Sequence, residues 1–170
     1  MNADQEAEYQ AFVTAQLEPL RRTAYLLCRD WHTADDLVSI TFGKLYRHWR
    51  RVSAAENVNA YVRGVLTNAW LDERRRPWRR EDSVETLPTE PALPGADAGV
   101  TERLTLFELL ERLPGRRRAA IVLRFYCDLS IEETAEILGI SAGTVKSQTS
   151  KGLDALRLLA ASDRMLRETS

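Results

Sequence analysis

Apolar residues recur at helical spacing through most of the 170-residue chain, and no segment alternates between apolar and polar positions as a strand does. The N-terminal part predicts a short helix followed by a second that Pro19 opens, because proline is favoured in the first turn of a helix. Thr33 is placed to cap a third helix, with Asp35 and Asp36 in its first turn. The pattern therefore predicts an all-α protein.

The helix after Thr33 carries two apolar stripes. One stripe is formed by Leu37, Ile40, Leu45, Trp49 and Val52, and the other by Val38, Phe42 and Tyr46. A helix that is apolar on two sides needs two neighbours. Either both stripes lie in the core of the domain or one of them binds a partner protein, and the residues alone leave both interpretations open.

A further helix is predicted from about Asn57 into the sequence RRRPWRR, with Val58, Val62, Val65 and Ala69 as its core stripe. Its outward side is expected to carry two rows, Arg63, Thr67, Trp70 and Arg74 in one and Asn68, Asp72, Arg75 and Arg79 in the other. Arginines bind phosphates and an exposed ring stacks on an unpaired base, so this face favours single-stranded nucleic acid. A solvated basic face would explain the arginines but not Trp70 and Trp78 among them.

The distribution of charge says more than the net charge of −1. Residues 44–80 hold 10 basic and 3 acidic residues, whereas residues 81–102 hold 6 acidic residues and no basic one. The last 68 residues, from Arg103 onward, hold 11 basic and 9 acidic residues. Two basic blocks separated by an acidic strip suit a polyanionic partner better than the overall pI of about 6.2 suggests.

The acidic strip also divides the chain into domains. Pro88, Pro91 and Pro94 forbid a continuous helix there, because proline fixes its own backbone angle and restricts the preceding residue. We therefore predict two small helical domains, residues 1–81 and 101–170, joined by a flexible linker over residues 82–100. An ordered loop packed across a domain surface is the alternative for this strip.

The segment LSIEETAEILGISAGTVKSQTSKGL carries the signals of a helix-turn-helix. Ser130 and Glu133 form a capping box that opens a short helix, and Gly139 suits the left-handed turn after it. Ser141 then caps a second helix, on which Val145 is expected to point inward. The outward residues of that helix are Lys146, Ser147, Gln148, Ser150 and Lys151. Such side chains can reach base edges and phosphates in a major groove, although a hairpin inside a helical bundle remains the alternative.

Catalytic and metal-binding patterns are not found in the sequence. His32 and His48 lack ligand spacing, and Cys28 and Cys127 stand far apart without a CxxC motif. No apolar stretch approaches the ~18–20 residues of a membrane span, and the N-terminus is too polar for a signal peptide. The expectation is a cytoplasmic protein that is not an enzyme and needs neither a cofactor nor a metal.

The order of helical block, acidic linker and helix-turn-helix resembles the extracytoplasmic-function (ECF) sigma factors of bacterial RNA polymerase. The phrases HTADDLVSITFGKLYRHW, NVNAYVRGVLTNAWLDERRR and LSIEETAEILGISAGTVKSQTSKGL are similar to those of the actinobacterial SigE-type group. The resemblance implies sigma domain 2 in the first block and sigma domain 4 in the second. It also implies a function, which is to bind core polymerase, recognise the −10 and −35 promoter elements and promote DNA melting.

Three sets of site residues are implied by this resemblance. The set expected to dock on the clamp helices of the largest polymerase subunit is Asp36, Leu37, Thr41, Phe42 and Tyr46. The set expected at the −10 element is Ser53, Asn57, Asn59, Arg63, Asn68, Asp72, Arg74, Arg75 and Arg76, and the set expected at the −35 element is Lys146, Ser147, Gln148, Ser150 and Lys151. The further partners implied are the flap of the second polymerase subunit, promoter DNA and an anti-sigma factor.

Two other functions compete with this interpretation. A stand-alone helix-turn-helix regulator would bind an operator without polymerase, usually as a symmetric dimer. A helical interaction protein that never touches DNA would leave both basic surfaces unexplained.

Overall fold

The computed structural model describes residues 1–76 and 106–169, and all regular structure within these ranges is helical. The helices are α1 (Ala3–Cys28), α2 (Trp31–Arg47), α3 (Trp49–Ser53), α4 (Val58–Arg75), α5 (residues 106–111), α6 (Gly115–Ile121) with a π-helical turn (Val122–Tyr126) after it, α7 (Ile131–Leu138) and α8 (Ala142–Thr169). The all-α prediction is confirmed. The linker predicted over residues 82–100, together with Trp78 and Arg79, lies outside the described residues.

Helix α1 is a single helix of 26 residues, so the predicted break at Pro19 is wrong. Proline inside a helix removes one backbone hydrogen bond, and tertiary packing overrides that cost here. Leu20, Ala24 and Leu27, on the turns that follow Pro19, are fully buried in the core. Pro19 itself is exposed.

Helix α2 begins at Trp31, earlier than predicted, because Asp30 and not Thr33 is its N-cap. The Asp30 carboxylate accepts hydrogen bonds from the Thr33 backbone N–H at 3.1 Å and from the Thr33 hydroxyl at 2.6 Å. The helix ends at Arg47, and α3 follows after His48.

Most residues of the two apolar stripes in this segment lie in the core. The interpretation that both stripes are core stripes is therefore confirmed for most of their members. Leu37, Leu45, Trp49, Val52, Val38 and Phe42 are all buried. Ile40 and Tyr46 differ, with 39 % and 43 % of their surface exposed. The exposed apolar surface of α2 is therefore small and is confined to these two positions.

The second half contains the predicted helix-turn-helix. Ser130 and Glu133 form the capping box of α7, with hydrogen bonds of 3.0 and 2.9 Å. Gly139 follows α7 in the left-handed conformation with φ +64°, which a residue with a side chain adopts only at a cost. The Ser141 hydroxyl accepts from the Thr144 backbone N–H at 3.1 Å and so caps α8. These three predictions are confirmed.

The two halves of the chain pack against each other and share one hydrophobic cluster. Helices α1 and α4 form one side of the contact, and α6, α7 and the π-helical turn form the other. The Tyr25 ring meets the edge of Phe107 from α5 at a centroid distance of 5.5 Å.

Candidate nucleic-acid interface

The N-terminal half of α8 has one buried and one exposed face. Val145, Thr149 and Gly152 are buried, as the helical period requires for a side that packs on the preceding helices. Four of the five predicted outward residues, Lys146, Ser147, Ser150 and Lys151, are exposed. Gln148 is half-buried, and its side-chain oxygen accepts a hydrogen bond from Arg117 Nε at 3.2 Å.

The exposed face of α8 suits a polyanion. Between Ala142 and Leu153 the helix carries two lysines and no acidic residue. Its first turn is held by the Ser141 cap, so its orientation is set by the turn that begins at Gly139. Backbone N–H groups and cations at the start of such a helix attract phosphates, while short polar side chains fit against base edges.

Helix α4 agrees with the predicted outward face in only one of its two rows. Asn68, Asp72 and Arg75 are exposed, as expected. In the other row Arg74 is exposed, whereas Arg63, Thr67 and Trp70 are only 8 %, 0 % and 3 % exposed, so their outward placement is wrong.

The physical reason is that α4 packs against neighbours on two sides. The Arg63 guanidinium donates to Gln16 Oε1 at 3.0 Å within the first half. The Trp70 ring lies beneath two guanidinium groups, of Arg74 at 5.0 Å and of Arg118 from the second half at 5.4 Å. Trp70 is therefore a packing residue, and in this arrangement it offers no surface on which a base could stack.

Three of the residues predicted at the −10 element lie around the start of α4. Asn57 is the N-cap of α4, because its side-chain oxygen accepts from the Ala60 backbone N–H at 3.0 Å. Its amide nitrogen donates to Glu133 Oε2 at 2.5 Å, across the contact between the two halves. Asn59 is exposed, whereas Ser53 is partly buried at the end of α3.

The residues predicted to dock on the polymerase are unequally accessible. Asp36 and Tyr46 are exposed, whereas Leu37, Thr41 and Phe42 are 1 %, 0 % and 9 % exposed. Leu37, Thr41 and Phe42 therefore support the exposed residues from inside the domain and are not themselves part of the surface. Tyr46, for example, packs edge-on against Tyr9, whose hydroxyl donates to the Phe42 carbonyl at 2.8 Å. Ile40 was assigned to the first apolar stripe and not to the docking set, although it lies four residues after Asp36 and therefore on the same face of the helix.

Arg118 joins the two halves of the chain through hydrogen bonds, and the sequence pattern did not single it out. It is 5 % exposed, and its guanidinium donates to the Leu27 carbonyl at 2.6 Å and to the Glu111 and Leu113 carbonyls at 2.7 and 3.0 Å. Burial, and then the nearby Arg74, lower the pKa of Arg118 to about 10, so it stays charged at neutral pH. In the sequence it stands among three consecutive arginines, and nothing there distinguishes the buried one.

Other kinds of site find no support in the part of the chain that the structure describes. Residues 1–76 and 106–169 contain no group of three side chains that could hold a metal ion. Among the same residues, no helix combines the length and apolarity needed to cross a bilayer. His32 is exposed and lies 4.0 Å from Asp36 in an ordinary i,i+4 pair.

Comparison with known proteins assigns both halves to one class. The family description "Sigma-70 region 2" matches residues 12–80, and "Sigma-70, region 4" matches residues 103–156. The chain belongs to the sigma-70 family of RNA polymerase sigma factors, and within it to the ECF type. Members of this family are non-enzymatic transcription initiation factors.

Individual relatives agree with this assignment. The chain is 34 % identical over 154 residues to "RNA polymerase sigma-E factor" of Streptomyces coelicolor, covering 88 % of this chain and 84 % of the relative. It is 32 % identical over 134 residues to "ECF RNA polymerase sigma factor SigM" of Mycobacterium tuberculosis, covering 78 % and 66 % of the two chains. Its fold is similar to that of the sigma factor RpoE solved in complex with the anti-sigma factor NepR from Bartonella quintana. The TM-score is 0.76 at 26 % identity, over 92 % of this chain and 98 % of that one.

Proposed function

We propose that this protein binds core RNA polymerase, directs it to promoters through the −10 and −35 elements and promotes melting of the DNA. The observation that carries the proposal is the exposed, acid-free face of α8, held by capped turns on a helix-turn-helix. A helix in this position enters a major groove with its N-terminal residues against the bases. Lys146, Ser147, Ser150 and Lys151 supply the contacts to the −35 element, and Gln148 reaches it once released from Arg117.

The −10 element is assigned to the first domain, proposed as residues 1–81. The proposed contacts are Ser53 and Asn57 before α4, Asn59 in its first turn, Asn68, Asp72, Arg74 and Arg75 further along it, Arg76 at its end, and Arg63 beneath them as support. Arg75 and Arg76 are exposed near the end of α4, where their charges can hold backbone phosphates. Base recognition falls to the amide side chains, because Trp70 is buried.

Polymerase binding is assigned to α2. Asp36 and Tyr46, with Ile40 added to the predicted set, form the exposed surface for the clamp helices of the largest subunit. Leu37, Thr41 and Phe42 hold that surface from below. The flap of the second subunit is proposed to bind the second domain, residues 101–170. Core polymerase would then present both DNA-binding domains to one promoter and turn two weak contacts into one strong one.

The test is single-round transcription with purified core polymerase, with and without this protein, on a pooled promoter library from its host genome. Defined transcripts that depend on the protein are expected, and their start sites give both promoter elements. If the protein alone shifts duplex DNA but yields no transcripts and does not bind core polymerase, it is a stand-alone regulator instead.

A matched pair of variants tests the −10 surface. Arg75→Glu with Arg76→Glu reverses two charges at the end of α4 and is expected to abolish promoter opening. Arg164→Glu with Arg167→Glu reverses two exposed charges near the end of α8, away from both proposed surfaces, and is expected to leave opening unchanged. Equal effects of the two pairs would remove the assignment of the −10 surface to α4.

An anti-sigma factor is proposed as a further partner. The support is the similarity, over 92 % of this chain, to a sigma factor solved with its anti-sigma factor bound. Co-purification of the tagged protein from its host, followed by addition of the captured protein to the transcription assay, tests this. Loss of the dependent transcripts is the expected result, and unchanged transcription would exclude the captured protein as an inhibitor.

A further inference from the structure

A cleft lies where the ends of α4 and α5 meet α6. Its volume is about 770 Å³, within the range of sites that hold small molecules. Among the described side chains that line it, five carry a guanidinium group and two carry a carboxylate. The arginines are Arg74 and Arg75 of α4, Arg112 after α5, and Arg116 and Arg118 of α6, and the carboxylates are those of Glu73 and Glu111. The lining therefore has an excess of positive charge.

Each carboxylate of the lining also contacts an arginine outside it. Glu111 Oε2 accepts a hydrogen bond from Arg29 at 2.9 Å. Glu73 Oε1 lies 3.8 Å from Nη1 of Arg76. Part of the negative charge in the cleft is therefore offset by arginines that do not line it.

The arginines of the cleft have mainly neutral acceptors. Within residues 1–76 and 106–169, no carboxylate forms an ion pair with Arg75, Arg112, Arg116 or Arg118. Arg116 donates to the Leu138 carbonyl at 3.0 Å, and Arg118 donates to three backbone carbonyls. A carbonyl satisfies a donor but does not neutralise its charge. These arginines therefore keep their positive charge available to an anion.

Arg118 shows most directly that negative charge is lacking in the cleft. Its side chain is only 5 % exposed, and its buried Nε has no hydrogen-bond acceptor among the described residues. Burial, and then the nearby positive charge of Arg74, lower the pKa of Arg118 to about 10. Repulsion between the two guanidinium groups costs free energy, and an anion bound beside them would reduce that cost.

The ring of Trp70 lies against two of these cations, which fixes where they stand. Its centroid is 5.0 Å from the guanidinium carbon of Arg74 and 5.4 Å from that of Arg118. A Cβ atom at Gly115 would lie only 2.9 Å from Nε of Arg74, so the glycine leaves room for this guanidinium. Guanidinium groups bind phosphate through paired N–H donors. Several of them around one cleft suit a chain of linked phosphates, because each can engage a different phosphate group.

We propose that this cleft binds an oligophosphate, a chain of linked phosphates such as that of a nucleoside triphosphate or of inorganic polyphosphate. Arg74 and Arg75 from the first half and Arg112 and Arg116 from the second bind the phosphate groups, and Arg118 adds its charge from the buried side. Binding of this ligand is separate from promoter recognition, so its test needs neither polymerase nor DNA.

Two tryptophan indoles report where the ligand binds in the full-length protein. Trp70 lines the cleft. Trp49 stands within a second cluster of basic residues, formed by Arg47, His48, Arg50 and Arg51. Sodium tripolyphosphate is titrated into the ¹⁵N-labelled protein at about 0.15 M salt, which screens exposed charges beyond about 8 Å. The indole N–H signals are assigned with Trp70→Phe and Trp49→Phe.

The Trp70 indole signal is expected to shift and to saturate, whereas the Trp49 signal is expected to stay in place. Equal shifts of both signals, or a shift of the Trp49 signal alone, would overturn the proposal. Such results would show that the anion is attracted to basic surface in general or to the second cluster.

A matched pair of variants tests the arginines themselves by isothermal titration calorimetry with tripolyphosphate. Arg112→Gln with Arg116→Gln removes two charges from the cleft and is expected to lower the affinity at least about tenfold, because hydrogen bonds to charged groups are the strong ones. Arg47→Gln with Arg50→Gln removes two charges from the second cluster and is expected to leave the affinity unchanged. Equal losses in the two variants would overturn the proposal.

A second variant covers the case in which the first does not fold, as judged by circular dichroism. Arg112→Gln alone changes an exposed side chain that forms no ion pair within the described ranges. It is expected to weaken binding as well, and an unchanged affinity would contradict the assigned role of Arg112.

The chemical source of the oligophosphate is decided by comparing probes on the wild-type protein. Orthophosphate is expected to bind at least about tenfold more weakly than tripolyphosphate, because it engages fewer guanidinium groups. Equal affinity for tripolyphosphate, ATP and GTP supports a site that recognises the phosphate chain alone, and tighter binding of ATP or GTP supports a nucleotide site. If none of the three binds at about 1 mM, the proposal is wrong, and the proposed function in transcription is unaffected.

Discussion

Replacement of Arg118 by methionine probes a buried guanidinium that donates to backbone carbonyls at the ends of two helices. Arg118 donates to the Leu27 carbonyl of α1, to the carbonyl of Glu111 at the end of α5 and to that of Leu113 just after it, and it is 5 % exposed. Methionine keeps much of the apolar volume against Trp70 but provides no donor. The three carbonyls would then lose a charged partner in a place where water has little access.

The magnitude follows from two opposing effects. Hydrogen bonds to charged groups contribute about 1.5–3 kcal/mol each, and Arg118 makes three of them. Against this stands the penalty on the charged guanidinium from its burial and from the nearby Arg74, which lower its pKa to about 10 and together correspond to a cost of about 3 kcal/mol. We expect Arg118→Met to lower the free energy of unfolding by roughly 3 kcal/mol, as is usual when one partner of a buried charged contact is removed.

Urea unfolding of the full chain, followed by circular dichroism, measures this loss. Arg116→Met is the matched control, because Arg116 is exposed and donates to a single carbonyl, that of Leu138, at 3.0 Å. That variant is expected to lose no more than about 1 kcal/mol. The reasoning would be refuted if the two variants were equally stable, since burial and the number of acceptors would then have no effect.

Three further predictions concern single residues. Gly139→Ala is expected to cost about 1–2 kcal/mol because φ is +64° there, and a thermal midpoint equal to that of the wild type would contradict it. Lys146→Ala is expected to weaken −35 duplex binding for all sequences alike and to reduce the salt slope by about 1, whereas Arg164→Ala is expected to leave both unchanged. Burial raises the pKa of Cys28 to about 12, so at pH 8 iodoacetamide should modify it two to three orders of magnitude more slowly in the folded protein than in urea. Equal rates would show that the thiol is accessible and ionises normally.

Local sequence signals determined the helix-turn-helix. A capping box, a glycine in the left-handed turn and a serine cap act within three or four residues, so Ser130, Gly139 and Ser141 could be assigned without knowledge of the rest of the chain. The exposed face of α8 followed in the same way from the helical period around Val145. The family resemblance could also be recognised from the sequence, because each of its motifs is one short continuous segment and the motifs follow one another along the chain.

Tertiary structure decided which face of α4 is exposed, and it decided that α1 continues as one helix through Pro19. Helical spacing placed Trp70 and Arg63 outward, but a second packing surface, from another part of the chain, covers that side of α4. Burial of Leu20 and Leu27 keeps α1 helical through Pro19, which local propensity alone would have ended. The hydrogen bond from Arg118 to the Leu27 carbonyl joins residues 91 positions apart, and the hydrogen bond from Asn57 to Glu133 joins residues 76 positions apart. Contacts at that separation leave no periodic trace in the sequence, because they depend on how two domains meet rather than on how either helix forms.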